Sequence, residues 1–313
     1  MTCLPFKNSE FGLGEAPGHS ILASSNGVLA VVVLYKRAFK DVPCSTRLKQ
    51  WLIAPKLASA RFSLEHCLIY DNSPEAQSLD LDSHARFELF HNASNGGTRA
   101  AYLHALKIAQ ARGYPWILFL DHDTDLPHDF FLDTESALAA AAHEAPVCAI
   151  VPRVFDGLTP ISPSRITSYG RVCAPQDEKT AFEDGAGLTA IASASIVRTA
   201  SLASVLPIPA SFTLDYLDHW LFRELQLLGE NIAVSSARVE HSLSVQSMKS
   251  MGIERYRAIL AAELVFLRSS PQYSLAQHFI WHTGRTLKLM LSTRRPHLVG
   301  VCVRAAMNIL QSK

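Results

Sequence analysis

Residues 114–127 read Tyr-Pro-Trp-Ile-Leu-Phe-Leu-Asp-His-Asp-Thr-Asp-Leu-Pro. The run from Trp116 to Leu120 is short and apolar, which predicts a buried strand. It stops at three carboxylates in alternation: Asp121, Asp123 and Asp125. Acids crowded in this way repel one another unless a cation or a hydrogen-bond network compensates them. Hard oxygen ligands of this kind suit Mg²⁺ or Mn²⁺. In an open α/β sheet, ligands bind beyond the carboxyl ends of the strands. The stretch therefore predicts a divalent-metal site at the tip of a central strand.

On both sides of it, apolar runs alternate with helical patterns. Val28–Tyr35 is a near-continuous apolar run, the pattern of a buried parallel strand. Helix is predicted from Ser45 to Leu57, shortened by Pro55. Strands follow at Glu65–Tyr70, ending in Asp71-Asn72-Ser73-Pro74, and at Phe87–His91, ending in Asn92 to Gly97. A helix over Thr98–Arg112 has apolar residues at Ala101, Leu103, Ala105, Leu106 and Ala109 and is closed by Gly113. After the carboxylate strand come a helix over Phe130–His143 and a strand over Val147–Val151. Residues 156–187 read as loop, Leu188–Val197 as strand, and Phe212–Gly229 as a segment running through Asp215-Tyr216-Leu217-Asp218 into a helix. Asn231–Ser235 reads as a short strand, and helices are predicted over Ile253–Arg268, Leu275–Leu291 and His297–Leu310. Strands alternating with helices give an α/β fold with a doubly wound, mostly parallel sheet. The polar strand ends at Asp71, Asn95 and Asp121–Asp125 would then meet on one edge, the geometry of a nucleotide cleft.

With 313 residues, 48% of them hydrophobic, the chain can build one large domain or a domain with an appendage. A net charge of +1 gives no global reason to expect nucleic acid as a partner. Cys3, Cys44, Cys67, Cys148, Cys173 and Cys302 are scattered with no CxxC pair, which argues against a disulfide framework or a zinc site and fits a reducing, cytoplasmic setting. The amino-terminus has no continuous apolar core of a signal peptide, and no stretch of eighteen apolar residues predicts a spanning helix. Charge is unevenly distributed. After Glu263 there is no acid, while seven of the 29 bases lie there, leaving 22 bases against 28 acids in the rest. A basic, apolar tail suits either a helical cap over the rest of the chain or peripheral contact with an anionic membrane surface, here the inner face of the cytoplasmic membrane.

The acids admit several readings. An EF-hand loop needs Gly and Glu where this chain has Leu126 and Leu132, so it fails. A haloacid dehalogenase-type phosphatase also ends a strand in Asp-x-Asp, but its following Thr or Val position is Asp125 here. An exposed acidic turn capping the helix after Asp129 is the plain structural alternative. Asn95-Gly96-Gly97-Thr98-Arg99 resembles the Gly-Thr-Arg loop of sugar nucleotidyltransferases. Its bland reading is a strand-to-helix turn with Thr98 as the cap, and its functional reading adds amides and Arg99 facing a diphosphate. Asp218 is either a charge on a helix dipole or a general base. His241 alone is a structural histidine, and Glu240-His241-Ser242-Leu243 is no zinc signature.

Taken in order, the pieces resemble a family 2 glycosyltransferase of the GT-A fold, in its rhamnosyltransferase-like branch. The matching stretches are Val31–Tyr35, Tyr70–Ser73, Asn92–Gly97, Tyr114–Asp123, Ala192–Arg198, Asp215–Asp218 and His241–Leu243. Residues 1–27, rich in Gly, Ser, Pro and Asn and without a period, read as a leader or loop, and the helical pattern beyond makes 248–313 a helical, basic extension. The resemblance implies a catalytic domain of the nucleotide-diphospho-sugar transferase type over 28–247. It implies that Asp71 binds the nucleotide base, with Tyr35, Asn95, Gly97 and Arg99 near the nucleotide. Asp121 would face the ribose or the metal, and Asp123 with His241 would hold Mg²⁺ or Mn²⁺. Asp218, or Asp215, would deprotonate the acceptor. The implied donor is a UDP-, dTDP- or GDP-sugar carrying rhamnose or another hexose, and the implied acceptor a glycan or lipid-linked sugar in surface polysaccharide synthesis. A catalytically silent sugar-nucleotide or glycan-binding module is the non-enzymatic alternative. Two positions depart from the family pattern: an acid two places after the base is Trp220 here, and the Gly of an acceptor-side Ser-Gly-Ser is Ala194.

Overall fold

A computed structural model describes residues 27–53, 62–77, 86–141, 146–173, 187–241, 252–292 and 296–310. The expected leader, apart from Gly27, lies outside the described residues, as do the predicted helix ends at Leu57 and His143 and the pair Ser242-Leu243.

The first apolar run forms β1 (Gly27–Leu34), buried along its whole length. It lacks polar alternation because both faces of the sheet are covered. Val28, Ala30, Val32 and Leu34 enter one core, with Leu48 and Trp51 of α1 (Ser45–Ile53) and Phe130 and Phe131 of α3 (Phe130–Ala141). Leu29, Val31 and Val33 enter the other, with Ala101, Tyr102, Ala105 and Leu106 of α2 (Gly97–Arg112) and Leu221, Phe222 and Leu225 of α5 (Leu217–Leu227). The strand β4 (Trp116–Asp121) alternates in the same way, Trp116, Leu118 and Leu120 against Ile117 and Phe119. Each such side chain contributes about 1.5–3 kcal/mol on burial, so a register slip would be costly.

Strands β2 (Ser63–Asp71) and β3 (Phe87–His91) run parallel to β1 on one side, and β4 runs parallel on the other. Beyond β4 lies β11 (Ile196–Arg198), antiparallel to both β4 and β6 (Val147–Asp156). Next is β12 (Asn231–His241), parallel to β6, and then the two-residue β5 (Thr124–Asp125). A hairpin strand, β7 (Thr159–Ser162), pairs back onto β6. Together these make a nine-stranded, largely parallel sheet. Leu34 pairs with Asp71, Asp71 with His91, and Val33 with Asp121. The polar strand tips therefore lie side by side on one edge.

Three local expectations are corrected. The region read as loop contains β7 and two strands, β8 (Ser164–Ile166) and β9 (Val172–Cys173), which join β10 (Leu188–Thr189) in a small second sheet. Strands this short carry no legible period, and the proline of β7 sits on a sheet edge, where a missing donor is tolerated. The single strand expected over 188–197 is broken between β10 and β11 by a turn in which Ala194 has φ +63°. The strand expected at Asn231–Ser235 runs on to His241, with Ala233, Ser235, Ala237 and Val239 inward and Ser236, Arg238 and Glu240 outward. Its inward residues are mostly small, so its period of two was not an apolar signal.

The three predicted carboxyl-terminal helices are present as α6 (Ile253–Arg268), α7 (Leu275–Ser292) and α8 (Pro296–Leu310). Helix α6 sends Ala262, Phe266 and Leu267 into the core beneath the sheet. Tyr256 and Leu260 instead meet Leu289, Leu298, Val301 and Cys302 in a smaller cluster.

Candidate active site

At the tip of β4 the chain turns at His122–Asp123 and resumes as β5 against β12. A continuous strand would have sent all three carboxylates to one face. The turn instead leaves Asp125 exposed and keeps Asp121 and Asp123 together with His241, the last residue of β12. One ligand atom from each of these three lies within 4.8 Å of the others. Asp123 Oδ1 is 3.2 Å from His241 Nδ1, yet it is buried and receives no hydrogen bond among the described residues. The Thr124 hydroxyl is 3.1 Å from the same imidazole nitrogen and 2.5 Å from Ser193 Oγ, which also accepts the Asp121 amide at 2.8 Å. Burial pushes the Asp121 carboxyl up to about 7; His241 opposes this, while Asp218 and Asp123 add to it. Two carboxylates and an imidazole, with a buried oxygen lacking a donor, fit a divalent cation such as Mn²⁺ or Mg²⁺.

Asp218, in the first turn of α5, lies near enough to Asp121 to push its carboxyl up. Its own carboxyl is pushed up to about 6 by burial; the nearby Ala192 backbone opposes the rise and Asp215 adds to it. The turn between β10 and β11 therefore lies between the two acids: Ser193 holds the Asp121 amide, and the Ala192 backbone lies near Asp218. Asp215 has another partner: Oδ1 lies 2.8 Å from the Arg255 guanidinium of α6.

The expected nucleotide residues take varied positions. Asp71 is fully buried, and its two oxygens accept the Ser73 and Gln77 amides at 2.9 and 2.8 Å, so it folds the loop after β2. Tyr35 is 41% exposed, with the Lys36 ammonium 5.2 Å from its ring centroid. Asn95 is exposed, with φ +51°. Gly97 has φ +70°, and a Cβ there would collide with the Thr213 carbonyl. Thr98 does not cap α2 as expected: the cap is Gly96, with no side-chain hydrogen bond, and Thr98 is buried in the first turn. Arg99 donates Nε and Nη2 to the Ile208 carbonyl at 3.0 and 2.9 Å, and its amide to Thr213, so it pins the 208–213 loop. Sequence reasoning passed over Arg37, which donates to the His122 carbonyl at 3.1 Å, and Thr124. Ser193 lies within one of the matching stretches, but its residue type alone signals no role there. A lone arginine after a strand carries no signal of such a contact.

Residues 56–203 match the profile of glycosyl transferase family 2. No curated protein matches the chain. Among solved structures, TarS of S. aureus is 15% identical, with 86% of this chain and 44% of that one covered and a TM-score of 0.47. The structure of GalNAc-T7 with UDP, GalNAc and Mn²⁺ is 10% identical, with 91% and 56% covered and a TM-score of 0.52. The chain thus spans about half the length of these structures. Neither the match nor the fold supports a haloacid dehalogenase-type phosphatase. Residues 56–203 thus match glycosyl transferase family 2, and the curled, largely parallel sheet that carries them has the GT-A fold.

Proposed function

We propose that the protein is a glycosyltransferase that moves a hexose from a nucleotide sugar to a glycan or lipid-linked acceptor, with inversion. The observation that carries this reading is a cluster assembled from remote parts of the chain: Asp121 and Asp123 at the tip of β4 and His241 at the end of β12 bring ligand atoms within 4.8 Å of one another, with Asp218 close enough to Asp121 to push its carboxyl up. Asp121, Asp123 and His241 would hold Mn²⁺ or Mg²⁺. A cation bound there supplies positive charge to the diphosphate oxygens as the sugar bond breaks. Asp218 then acts as the general base. Its raised pKa lies close to neutral pH, where a carboxylate is both ionised and basic enough to take a proton. The acceptor oxygen forms its bond to the anomeric carbon, Asp218 takes the hydroxyl proton, and the nucleoside diphosphate leaves with the electron pair. Asp215 is the weaker choice because Arg255 compensates its charge. The UDP and Mn²⁺ in the GalNAc-T7 structure support a UDP-sugar as the first donor to test, ahead of dTDP- and GDP-sugars.

The test is a thermal-shift screen of these donors with Mn²⁺, followed by turnover of the best one. Asp218→Asn is expected to bind UDP with Mn²⁺ as the native chain does and to lose transfer by about 10²–10⁴-fold. Asp123→Ala is expected to lose Mn²⁺-dependent UDP binding in calorimetry. Transfer by Asp218→Asn at the native rate would remove the base, and unchanged binding by Asp123→Ala would remove the metal role. Donor binding without any turnover, even to water, would favour the silent module.

We also propose that residues 28–247 carry the chemistry and that the helical extension, 248–313, contacts an anionic membrane surface. Ile280, Leu287 and Leu291 are exposed on α7, and Val303, Met307 and Leu310 on α8. Among the described residues no helix is long and apolar enough to cross a membrane, so the contact would be peripheral.

A further inference from the structure

Helix α6 lies beyond the matched stretch yet reaches the acid-bearing segment, and we propose that Arg255 is a positioning residue for transfer: through its ion pair with Asp215 it fixes the turn that carries Asp218. The inference rests on the glycosyltransferase reading above and goes beyond it, because it makes the site incomplete without the helical extension.

Arg255 Nη2 lies 2.8 Å from Asp215 Oδ1, with the guanidinium 37% and the carboxylate 16% exposed. A pair with one largely buried partner is screened less than a pair on the open surface. Arg255 breaks a local rule to be there. It stands in the first turn of α6, where the helix dipole disfavours a cation. The other arginine of that region, Arg257, is accounted for within the helix, donating to the two oxygens of Glu254 at 2.9 and 2.8 Å. Arg255 instead has its partner on another element, so the segment around Asp215, and not α6, gains from this cation.

That segment needs holding from outside. Tyr216, between Asp215 and α5, has φ +62° and ψ 0° and caps the helix without a side-chain hydrogen bond. A bulky residue in the left-handed region is strained and persists where its surroundings over-determine it. Two clamps supply those surroundings. On the amino-terminal side, the Thr213 carbonyl accepts the Arg99 amide at 3.1 Å. On the other side, α6 supplies Arg255 to Asp215 and sets the Phe266 ring 5.5 Å from that of Tyr216. Further along α5, Arg223 donates to the Phe266 carbonyl at 3.2 Å and to Ser269 Oγ at 2.7 Å. Helix α6 is a firm support for this clamp: Phe266 and Leu267 lie in the main core, and Glu263 accepts Arg285 of α7 at 3.2 and 2.8 Å. Asp218 follows in the first turn of α5, where the Trp220 amide bonds the Tyr216 carbonyl at 3.0 Å. A shift at Asp215 is therefore passed to Asp218 through a single hydrogen-bonded turn.

The test is kinetics and hydrogen exchange on Arg255→Gln and Arg255→Lys, with Arg257→Gln as a control from the same end of the helix. For any donor the native chain turns over, Arg255→Gln is expected to lose kcat by about tenfold or more, with donor KM and Mn²⁺-dependent UDP binding within about threefold, because a misplaced reacting group costs rate before it costs donor affinity. Arg255→Lys keeps the charge and is expected to recover most of the loss, and Arg257→Gln to show none. In an Asp215→Asn background Arg255→Gln is expected to cost nothing further, as holds for a residue that acts only through Asp215. Amides in peptides spanning residues 213–219 are expected to exchange faster in Arg255→Gln, while peptides of β4 keep their native protection. Native kcat in Arg255→Gln, an equal loss in Arg257→Gln, or an undiminished further loss in the Asp215→Asn background would overturn the proposal. A raised donor KM at native kcat would also overturn it, by placing Arg255 against the donor. If the native chain turns over no donor in the panel, the transfer reading itself fails, and the exchange data still decide whether Arg255 holds the segment.

Discussion

Asp218 carries a cost that the fold accepts for the sake of its position. Its carboxyl is pushed up to about 6 by burial, from an ordinary value of 3.8. Below about pH 4 the folded and unfolded chains both hold the proton, and the residue is neutral to stability. Between about pH 4 and 6 the unfolded chain releases the proton while the native one keeps it, so stability falls as pH rises. Above about pH 6 the full penalty, at most about 3 kcal/mol, remains. Asp218→Asn keeps the shape of the side chain and removes the charge. Its urea midpoint is therefore expected to exceed that of the native chain at pH 8 and to converge with it at pH 4. Equal midpoints at pH 8 would mean that Asp218 is solvated and not confined in the cleft. Asp121 and Asp123 were readable in the sequence because adjacent acids on a strand tip need compensation. The partners of Arg99 and Asp215 were not, because a bond to a distant backbone carbonyl or guanidinium leaves no local pattern.

Among the elements, the junction between β3 and α2 shows how a loop is fixed from outside itself. Gly97 sits in the left-handed region with the Thr213 carbonyl where a Cβ would be. The amide of Arg99 donates to the same carbonyl at 3.1 Å. The loop before α2 is thus fastened to the segment leading into Asp215. Gly97→Ala must strain the backbone, by about 1–2 kcal/mol, and push Thr213 away as well. A drop of several degrees in Tm is expected, together with weaker UDP binding; a native Tm would show that the two loops are not in contact. The glycines were legible as a turn, and α2, α6, α7 and α8 were legible to within a residue or two, because long amphipathic periods survive in sequence. The strands β8, β9 and β10 were not, since two or three residues cannot display a period. The inward face of β12 is built partly from alanine and serine, which read as neither core nor surface.

Across the whole molecule, charge and helix packing pull the reading of the carboxyl-terminal region in two directions. Phe266 and Leu267 belong to the main core, so α6 is joined to the sheet by shared apolar burial. Helices α7 and α8 present their outer sides to solvent, with Leu291 90%, Ile280 72% and Leu310 63% exposed. Everything after Glu263 carries seven bases and no acid, while the remainder has an excess of acids. Such a dipolar molecule is drawn to an anionic surface with its basic end first, and exposed apolar side chains can then enter the headgroup boundary. Two signals acting together predict a salt-sensitive attachment that neither sustains alone. The protein is expected to float with vesicles containing anionic phosphatidylserine at low salt and to stay at the bottom with neutral phosphatidylcholine. Replacing Ile280, Leu287 and Leu291 by serine is expected to abolish flotation without changing UDP binding, because none of the three lies in the buried clusters. Flotation that persists in this variant at 0.5 M salt would place the membrane contact elsewhere on the chain, and sedimentation of the native protein with every vesicle would assign the exposed stripe a partner other than lipid.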